Sequence, residues 1–333
     1  MASERVTFLF GGAAIGAISM AAYQKFTQKP RPAAMMVPVA QTQPQPQAPK
    51  PITNMPQQTA PPARPMSSIE KAKTILPFGF PGPVSDLIYR DAYVVSYNRR
   101  DRNPNWVAEH LTPASLKRAE GVERSKSTFK EEDSVPPQFR ARLTDYYKSN
   151  FDRGHMVPAA DVKNSQQAMN ETFYLSNIAP QVGEGFNRDY WAHFENFCRS
   201  LTKTFPDVYV FTGPLYLPHQ ENDGKFYVKY QVIGTNGVPN VAVPTHFYKV
   251  IMTQRDGKYS TAAFVLPNQR IPDETPLETF KVPIDAVERS AGLVFFDRMG
   301  DAKAGLNDLC RETQCKIVLS KFHEAQKNKQ ITA

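Results

Sequence analysis

The strongest constraint on the fold is a series of β-branched and aromatic runs separated by Gly, Pro, Asn and Asp. The six runs cover residues 93–98, 106–111, 208–213, 227–234, 241–253 and 259–266. Such runs are typical of β-strands, and the turn-forming residues between them mark the strand ends. Few helices intervene among these strands, so the sheet should be largely antiparallel and the fold class α+β.

One amphipathic helix is predicted between the strand groups. Its apolar side chains recur at steps of three and four residues: Trp191, Phe194, Phe197, Cys198, Leu201 and Phe205. This spacing is typical of a helix with one buried face. Asp189 stands where an N-cap or first-turn acid is expected. Asn187 and Glu195 should lie about two helical turns apart near the start of this helix.

An uncharged apolar stretch sets the first 29 residues apart. Residues 6–23 form a run of 18 residues without a charge, which just reaches the length that can cross a bilayer core of about 30 Å. More basic residues follow this run than precede it, and no acidic residue occurs between Glu4 and Glu70. A secretory signal would carry its positive charges ahead of the apolar run. The pattern favours residues 1–29 as a mitochondrial targeting segment, either cleaved or retained as a membrane anchor.

Residues 30–66 are rich in Pro and Gln, with 11 prolines and no hydrophobic periodicity. Such a segment cannot bury enough apolar surface to offset its ordering entropy, so a disordered linker is predicted. A polyproline ligand for a partner is the alternative.

Residues 67–333 are the predicted globular domain. Because the first 70 residues carry half of the net charge of +8, the domain is weakly basic and any phosphate affinity must be local.

Four consecutive residues combine an acid, a cation, a turn former and an imidazole: Asp152, Arg153, Gly154 and His155. Hydrolysis of a phosphodiester needs a base for water, a cation for the charge on phosphorus, and usually a metal ion at the leaving oxygen. His155 and Arg153 can supply the first two. With an unperturbed pKa of about 6.5, His155 would suit a general base at neutral pH. Asn177 or a backbone carbonyl could hold its tautomer.

Three ordered blocks of the chain resemble the DNA/RNA non-specific nucleases. They are Asp-Arg-Gly-His at 152–155, Ser-Asn-Ile-Ala-Pro-Gln at 176–181, and Phe-Asn-Arg-Asp-Tyr-Trp-Ala-His-Phe-Glu at 186–195. The resemblance covers roughly residues 75–325. It implies a ββα-metal arrangement, in which a strand hairpin carries the histidine and the following helix carries the metal ligand. Two departures from bacterial members are a longer spacing before Asn187 and an Arg, where Gln is common, directly after it.

The resemblance implies catalytic and substrate-binding roles for four residues. His155 is expected to be the general base. Arg153 and Arg124 are expected to bind the substrate phosphate and stabilise its charge, Arg124 through a shorter match at residues 123–129. Asn177 is a further candidate for substrate contact. Without the resemblance, a lone histidine such as His155 would more often be a structural side chain.

The resemblance also implies a metal site. Asn187 is expected to be the single direct protein ligand of Mg²⁺, an ion that prefers oxygen ligands and retains water. Mn²⁺ is the alternative ion. Glu195 is expected to be the acid that orients metal-bound water and takes part in catalysis. The plainer alternatives are a helix cap for Asn187 and an ordinary exposed helix glutamate for Glu195.

The function implied is a magnesium-dependent endonuclease that cleaves DNA and RNA with little specificity and leaves 5′-phosphate ends. The resemblance also implies a mitochondrial location, at the inner membrane or in the intermembrane space, and a homodimer. Residues 6–23 would provide any membrane attachment. Two alternatives are an inactive scaffold that binds nucleic acid or a membrane partner, and a phosphodiesterase for smaller substrates.

Three cysteines, Cys198, Cys310 and Cys315, do not provide a disulfide scaffold or a Cys-x-x-Cys zinc motif. They are expected to be buried or unreactive thiols. A Cys310–Cys315 pair is the alternative in an oxidising compartment.

Overall fold

The computed structural model of the protein describes residues 67–82 and 86–317. The predicted targeting segment and linker lie outside these residues. In the part described, no helix combines the length and the apolar character that a membrane crossing requires. Within these residues, the first helix begins after Ser67. Ser67 Oγ accepts a hydrogen bond from Glu70 N at 3.3 Å, and the Glu70 carboxylate accepts one from Ser67 N at 2.7 Å, which satisfies amide groups at the helix start.

The α-helices are short and widely spaced along the chain. In order they are α1 (Ser68–Ile75), α2 (Gln166–Glu171), α3 (Tyr190–Leu201), α4 (Ile284–Ala291) and α5 (Leu309–Glu312). The 3₁₀ helices are Arg124–Lys126, Pro137–Phe139, Leu143–Tyr146, Ala159–Asp161, Leu175–Asn177, Leu277–Phe280 and Asp297–Gly305. The predicted amphipathic helix is α3, and it is the longest α-helix in the part described.

In the described part of the chain, the strands form one large sheet and three small hairpins. In order they are β1 (Asp86–Tyr89), β2 (Tyr93–Asn98), β3 (Asn103–Leu111), β4 (Phe151–His155), β5 (Ile178–Val182), β6 (Asp207–Leu215), β7 (His219–Gln220), β8 (Phe226–Tyr227), β9 (Val232–Thr235), β10 (Val238–Ala242), β11 (His246–Arg255), β12 (Lys258–Pro267), β13 (Lys281–Val282) and β14 (Asn307–Asp308). The large sheet has the order β1-β2-β3-β6-β11-β12-β13, and β14 pairs with β12. Within the residues described, the pairing of β12 with β14 is the parallel one in this sheet and the others are antiparallel. The predicted α+β class is confirmed.

Both faces of the large sheet are covered. Val95 and Val210 point to one face and pack in a core with α3 residues such as Trp191. Their neighbours Val94 and Phe211 point to the other face, where α1 and α4 complete a second core. Successive side chains of a strand point to opposite faces, so a sheet buried on both sides needs continuous apolar runs. This explains why β2 and β6 do not alternate in polarity.

Two of the predicted strands are divided. The run at residues 241–253 is interrupted by Pro244, which has no N–H to donate to a sheet, so β10 ends before it and β11 begins after it. The run at residues 227–234 contributes to two short strands, β8 and β9, that belong to different hairpins. Residues 226–232 are exposed, so no buried face holds that run together as one strand.

The cysteines differ from the expectation of three unreactive thiols. Cys310 and Cys315 form a disulfide bond, whereas Cys198 is buried and free. The bond closes a short loop at α5. Cys198 belongs to the apolar face of α3.

Candidate active site on the strand hairpin and the following helix

The motif residues lie on the hairpin of β4 and β5, which leads into α3. The strands are antiparallel, with Asp152 opposite Gln181 and Gly154 opposite Ala179. Gly154 cannot carry a Cβ atom, because the buried side chain of Gln181 occupies that space. A turn at Gly183–Asn187 joins β5 to α3. The structure therefore contains a ββα arrangement.

The turn before α3 is fixed by contacts on both sides. Gly185 has a φ of +77° and lies under the side chain of Arg270, a conformation and a close approach that favour glycine. Gly185 N donates a hydrogen bond to Asp189 Oδ2 at 2.6 Å. Asp189 occupies the predicted N-cap position, but its side chain makes no capping bond to the helix. These contacts set the path of the chain through Asn187 into the helix.

His155 is buried between two aromatic rings. Its ring centroid lies 4.8 Å from that of Phe173 and 5.4 Å from that of Phe129. Nε2 of His155 is buried and has no hydrogen-bond partner among the residues described. Burial, together with the nearby charge of Arg124, lowers the pKa of His155 to about 3. The ordinary pKa assumed from the sequence is therefore wrong for the folded protein, and at neutral pH the imidazole is a neutral base.

Two guanidinium groups flank this aromatic pair. The Cζ atom of Arg153 lies 4.4 Å from the Phe129 ring centroid, and that of Arg124 lies 5.5 Å from the Phe173 ring centroid. Phe129 and Phe173 also contact each other, with centroids 5.0 Å apart. Both arginines are exposed, and neither forms an ion pair within the part of the chain that the structure describes. The two cations are therefore available to an anion close to His155.

Asn187 is held by its amide nitrogen. Nδ2 donates a hydrogen bond to Asp152 Oδ2 at 2.9 Å, and Asp152 also receives two bonds from Arg188. The amide oxygen of Asn187 makes no hydrogen bond in the described residues. Burial alone would raise the pKa of Asp152, but the bonds from Arg188 and Asn187 lower it below its usual range. Asp152 is therefore an anionic acceptor that orients the amide.

The chemistry of Asn187 fits a hydrated cation. An amide oxygen is a hard neutral donor of the kind that Mg²⁺ accepts beside water molecules. Across residues 67–82 and 86–317, no cluster of three or more His, Cys, Asp or Glu side chains is placed to hold a metal ion. A metal ion at this site would therefore have fewer than three His, Cys, Asp or Glu ligands from the described residues.

Glu195 lies on α3, two turns after Asn187. Burial raises the pKa of Glu195 to about 7, against the opposing effect of the positive charges of Lys249 and Arg199. Arg124 lowers the pKa of Glu195 as well as that of His155, so its charge reaches both groups. Glu195 is not the ordinary exposed glutamate that the plainer alternative proposed.

Asn177 does not line this site. It is fully buried, and Oδ1 accepts a hydrogen bond from Val157 N at 3.0 Å. Its Nδ2 donates to the carbonyl oxygens of Val157 at 2.9 Å and Thr172 at 2.8 Å. The expectations of substrate contact and of a bond to the imidazole are corrected, because the amide is fully used by the backbone. Asn177 fixes the chain that follows His155.

Four contributors to the site were not assigned from the sequence: the rings of Phe129 and Phe173, and the Asp152–Arg188 pair. Phe129 is the last residue of the block 123–129 that suggested Arg124, and Asp152 is the first residue of the motif 152–155. Both therefore lie next to residues that the sequence did assign. The sequence contained no signal that would place Phe173 against His155.

The candidate site thus combines a buried neutral imidazole, two cations without ion pairs among the described residues, and a ββα scaffold. A sequence model described as DNA/RNA non-specific endonuclease matches residues 71–302, and the chain belongs to that family. It is accordingly a nuclease enzyme.

Relatives of known name agree with this membership. Nuclease C1 of Cunninghamella echinulata var. echinulata is 56% identical over 247 residues, 74% of this chain and 96% of the relative. The mitochondrial nuclease of Saccharomyces cerevisiae is 51% identical over 74% of this chain and 76% of its own, and human mitochondrial endonuclease G is 47% identical over 68% and 76%. A solved structure of a complex of EndoG with EndoGI superimposes with a TM-score of 0.67 at 52% identity, covering 71% of this chain and 94% of that one.

Proposed function

We propose that this protein is a magnesium-dependent endonuclease that hydrolyses DNA and RNA with little sequence or sugar preference. The observation that carries the proposal is the neutral, buried imidazole of His155 between two rings, each of which contacts a guanidinium that forms no ion pair with a described residue. A neutral imidazole can take a proton from water, and a flanking cation stabilises negative charge on a phosphate.

In this proposal each side chain has a distinct task. His155 accepts the proton of the attacking water. Arg153 and Arg124 hold the phosphate and stabilise its charge. Asn187 would hold a hydrated Mg²⁺, and Glu195 would orient the water around it. A bound Mg²⁺ would supply charge stabilisation at the leaving oxygen, and Mn²⁺ has the same preference for oxygen ligands.

Low specificity follows from the kind of contact available. Arg153 and Arg124 are suited to phosphate oxygens, which carry no base sequence. Departure of the 3′ oxygen leaves the phosphate on the 5′ side. Products with 5′-phosphate ends can be ligated directly, and they accept a label from polynucleotide kinase only after phosphatase treatment.

The first experiment is cleavage of supercoiled plasmid and single-stranded RNA with Mg²⁺, with Mn²⁺ and with EDTA. Wild-type protein is compared with His155→Ala and Asn187→Ala. His219→Ala and Asn222→Ala serve as matched controls, because both residues are exposed on the hairpin of β7 and β8. Metal-dependent cleavage of both polymers should be lost in the first two variants and kept in the controls.

The outcomes separate the alternatives. Undiminished cleavage by His155→Ala would refute its role as the base. Cleavage of a small chromogenic diester without cleavage of plasmid would favour a phosphodiesterase for smaller substrates. Binding of nucleic acid without cleavage by the wild type would favour an inactive scaffold.

We also propose that the protein is mitochondrial, forms a homodimer, and is attached to the inner membrane through residues 6–23. The names of the yeast and human relatives support the location. Fractionation of cells that express the full chain, or the chain without residues 1–29, tests the location. Alkaline carbonate extraction distinguishes an anchored from a soluble form, and light scattering on the purified protein gives the oligomeric state.

A further inference from the structure

Arg188 and Asp152 form a link that ends on Asn187. Arg188 Nε donates to Asp152 Oδ2 at 2.7 Å, and Arg188 Nη2 donates to Oδ1 at 2.5 Å. The same Oδ2 accepts the bond from Asn187 Nδ2 at 2.9 Å. One carboxylate therefore joins β4, through Asp152, to two consecutive residues at the end of the turn.

The backbone of the turn is shaped around this link. A Cβ atom on Gly183 would lie 3.0 Å from Arg188 Nη2 and 3.0 Å from both carboxylate oxygens of Asp152. Arg188 N also donates to Gly183 O at 3.1 Å. A side chain at position 183 would crowd the ion pair of Arg188 and Asp152. Glycine leaves room for the Arg188 side chain to cross the turn and contact Asp152.

The hydrogen bonds from Arg188 to Asp152 and from Asn187 to Asp152 determine which end of the Asn187 amide can face a cation. An amide has one accepting oxygen and one donating nitrogen. Because the nitrogen of Asn187 donates to Asp152, the oxygen is left for another partner. Without a fixed acceptor, rotation of the amide could present the nitrogen, which cannot bind a cation.

We propose that Arg188 is a positioning residue for the metal ligand: by holding the Asp152 carboxylate in place, it keeps the Asn187 amide oxygen directed to the cation. The inference rests on the proposed role of Asn187. Arg188 also balances the negative charge of the Asp152 carboxylate. The carboxylate therefore serves as a hydrogen-bond acceptor and does not compete for the cation. The planar guanidinium matches both carboxylate oxygens, which a lysine cannot do.

The test uses the full chain and measures Mn²⁺ binding directly, from the electron paramagnetic resonance signal of free Mn²⁺. Arg188→Lys keeps the charge and removes the two-point contact. It should weaken Mn²⁺ binding about threefold to tenfold, and Asp152→Ala about tenfold or more, as for outer partners of metal ligands elsewhere. The Mg²⁺ concentration for half-maximal cleavage should rise in parallel, with little change in the rate at saturating Mg²⁺.

The matched control is Arg270→Lys. Arg270 covers Gly185 in the same turn and pairs with Glu184 at 3.3 Å, and its side chain is 74% exposed against 65% for Arg188. Lysine keeps the Cβ, Cγ and Cδ atoms that cover Gly185, so this change should leave Mn²⁺ binding as in the wild type. Urea unfolding of each variant separates a local effect from loss of folding.

A double variant tests whether Arg188 acts through Asp152. In an Asp152→Ala background, Arg188→Lys should have no further effect on Mn²⁺ binding. An equal effect in both backgrounds, or no effect in the wild-type background, would overturn the inference. If Asn187→Ala leaves Mn²⁺ binding unchanged, the proposed metal site itself fails. If Asn187→Ala abolishes binding while Arg188→Lys does nothing, the positioning role alone fails.

Discussion

The buried position of His155 should make the protein less stable in mild acid, and His155→Asn should remove that effect. The folded-state pKa of His155 is lowered to about 3 from an ordinary value of 6.5. Below pH 6.5 the unfolded chain binds a proton at this side chain and the folded protein does not. Unfolding is therefore favoured as the pH falls from about 6.5 towards 3.

The size of the effect follows from the two pKa values. At pH 5 the unfolded imidazole is 1.5 pH units below its pKa of 6.5 while the folded one is still neutral, so His155 costs about 2 kcal/mol relative to pH 7.5. Any folded-state pKa below about 4 gives the same figure, because the folded group is then neutral at pH 5.

Urea unfolding at pH 7.5 and pH 5.0 measures this cost. The buried residues Trp106 and Trp191 provide a fluorescence signal. Each protein is compared with itself, so the direct cost of the substitution and the titration of other groups cancel. The loss of stability between the two pH values should be smaller in His155→Asn by about 2 kcal/mol. An equal loss in variant and wild type would show that His155 is not neutral in the folded protein at pH 5.

Three further predictions concern stability. Asn177→Ala removes three hydrogen bonds to the backbone and should lower the free energy of unfolding by about 2–4 kcal/mol; an unchanged urea midpoint would contradict this. Burial raises the pKa of Glu109 well above its usual range. The free energy of unfolding of Glu109→Gln should therefore exceed that of the wild type by a margin that grows from pH 5 to pH 8. A constant margin would argue against a protonated Glu109. Replacing Cys310 and Cys315 by Ser should cost about 2 kcal/mol and abolish any effect of a reducing agent on the melting temperature, whereas a continued response in the double variant would exclude this disulfide as its source.

The sequence predicted the elements whose side chains have a buried face. The α3 helix was recognisable because Trp191, Phe194 and Phe197 recur at helical spacing, and all three are buried in one core. The central strands of the large sheet, β2, β3, β6, β11 and β12, were recognisable because both faces are covered, whereas the short strands β1, β13 and β14 were not predicted. Where burial is absent, as at residues 226–232, hydrophobic pattern alone did not locate the strand ends. Hydrophobic periodicity marks the buried faces of helices and strands, so it locates a strand only where that strand is buried.

The site residues that could be predicted from the sequence are those that lie close together in the chain. Arg153 and His155 were evident because they lie in one short motif. Asn177 was misassigned because its partners are backbone groups of Val157 and Thr172, and no sequence pattern distinguishes a buried amide from an exposed one. The Arg188 contact with Asp152 spans 36 residues, and it depends on a turn geometry that the spacing did not reveal.

Under the proposed function, Arg124 would link substrate binding to the strength of the base. Its charge adds to burial in lowering the pKa of His155, so the imidazole is a weak base that is neutral at physiological pH. A phosphate bound by Arg124 would bring a negative charge that offsets this influence and raises the pKa of the imidazole. His155 would then accept a proton more readily when substrate is present than when it is absent. On this proposal, the cation that binds the phosphate would also make His155 a stronger base when substrate is bound.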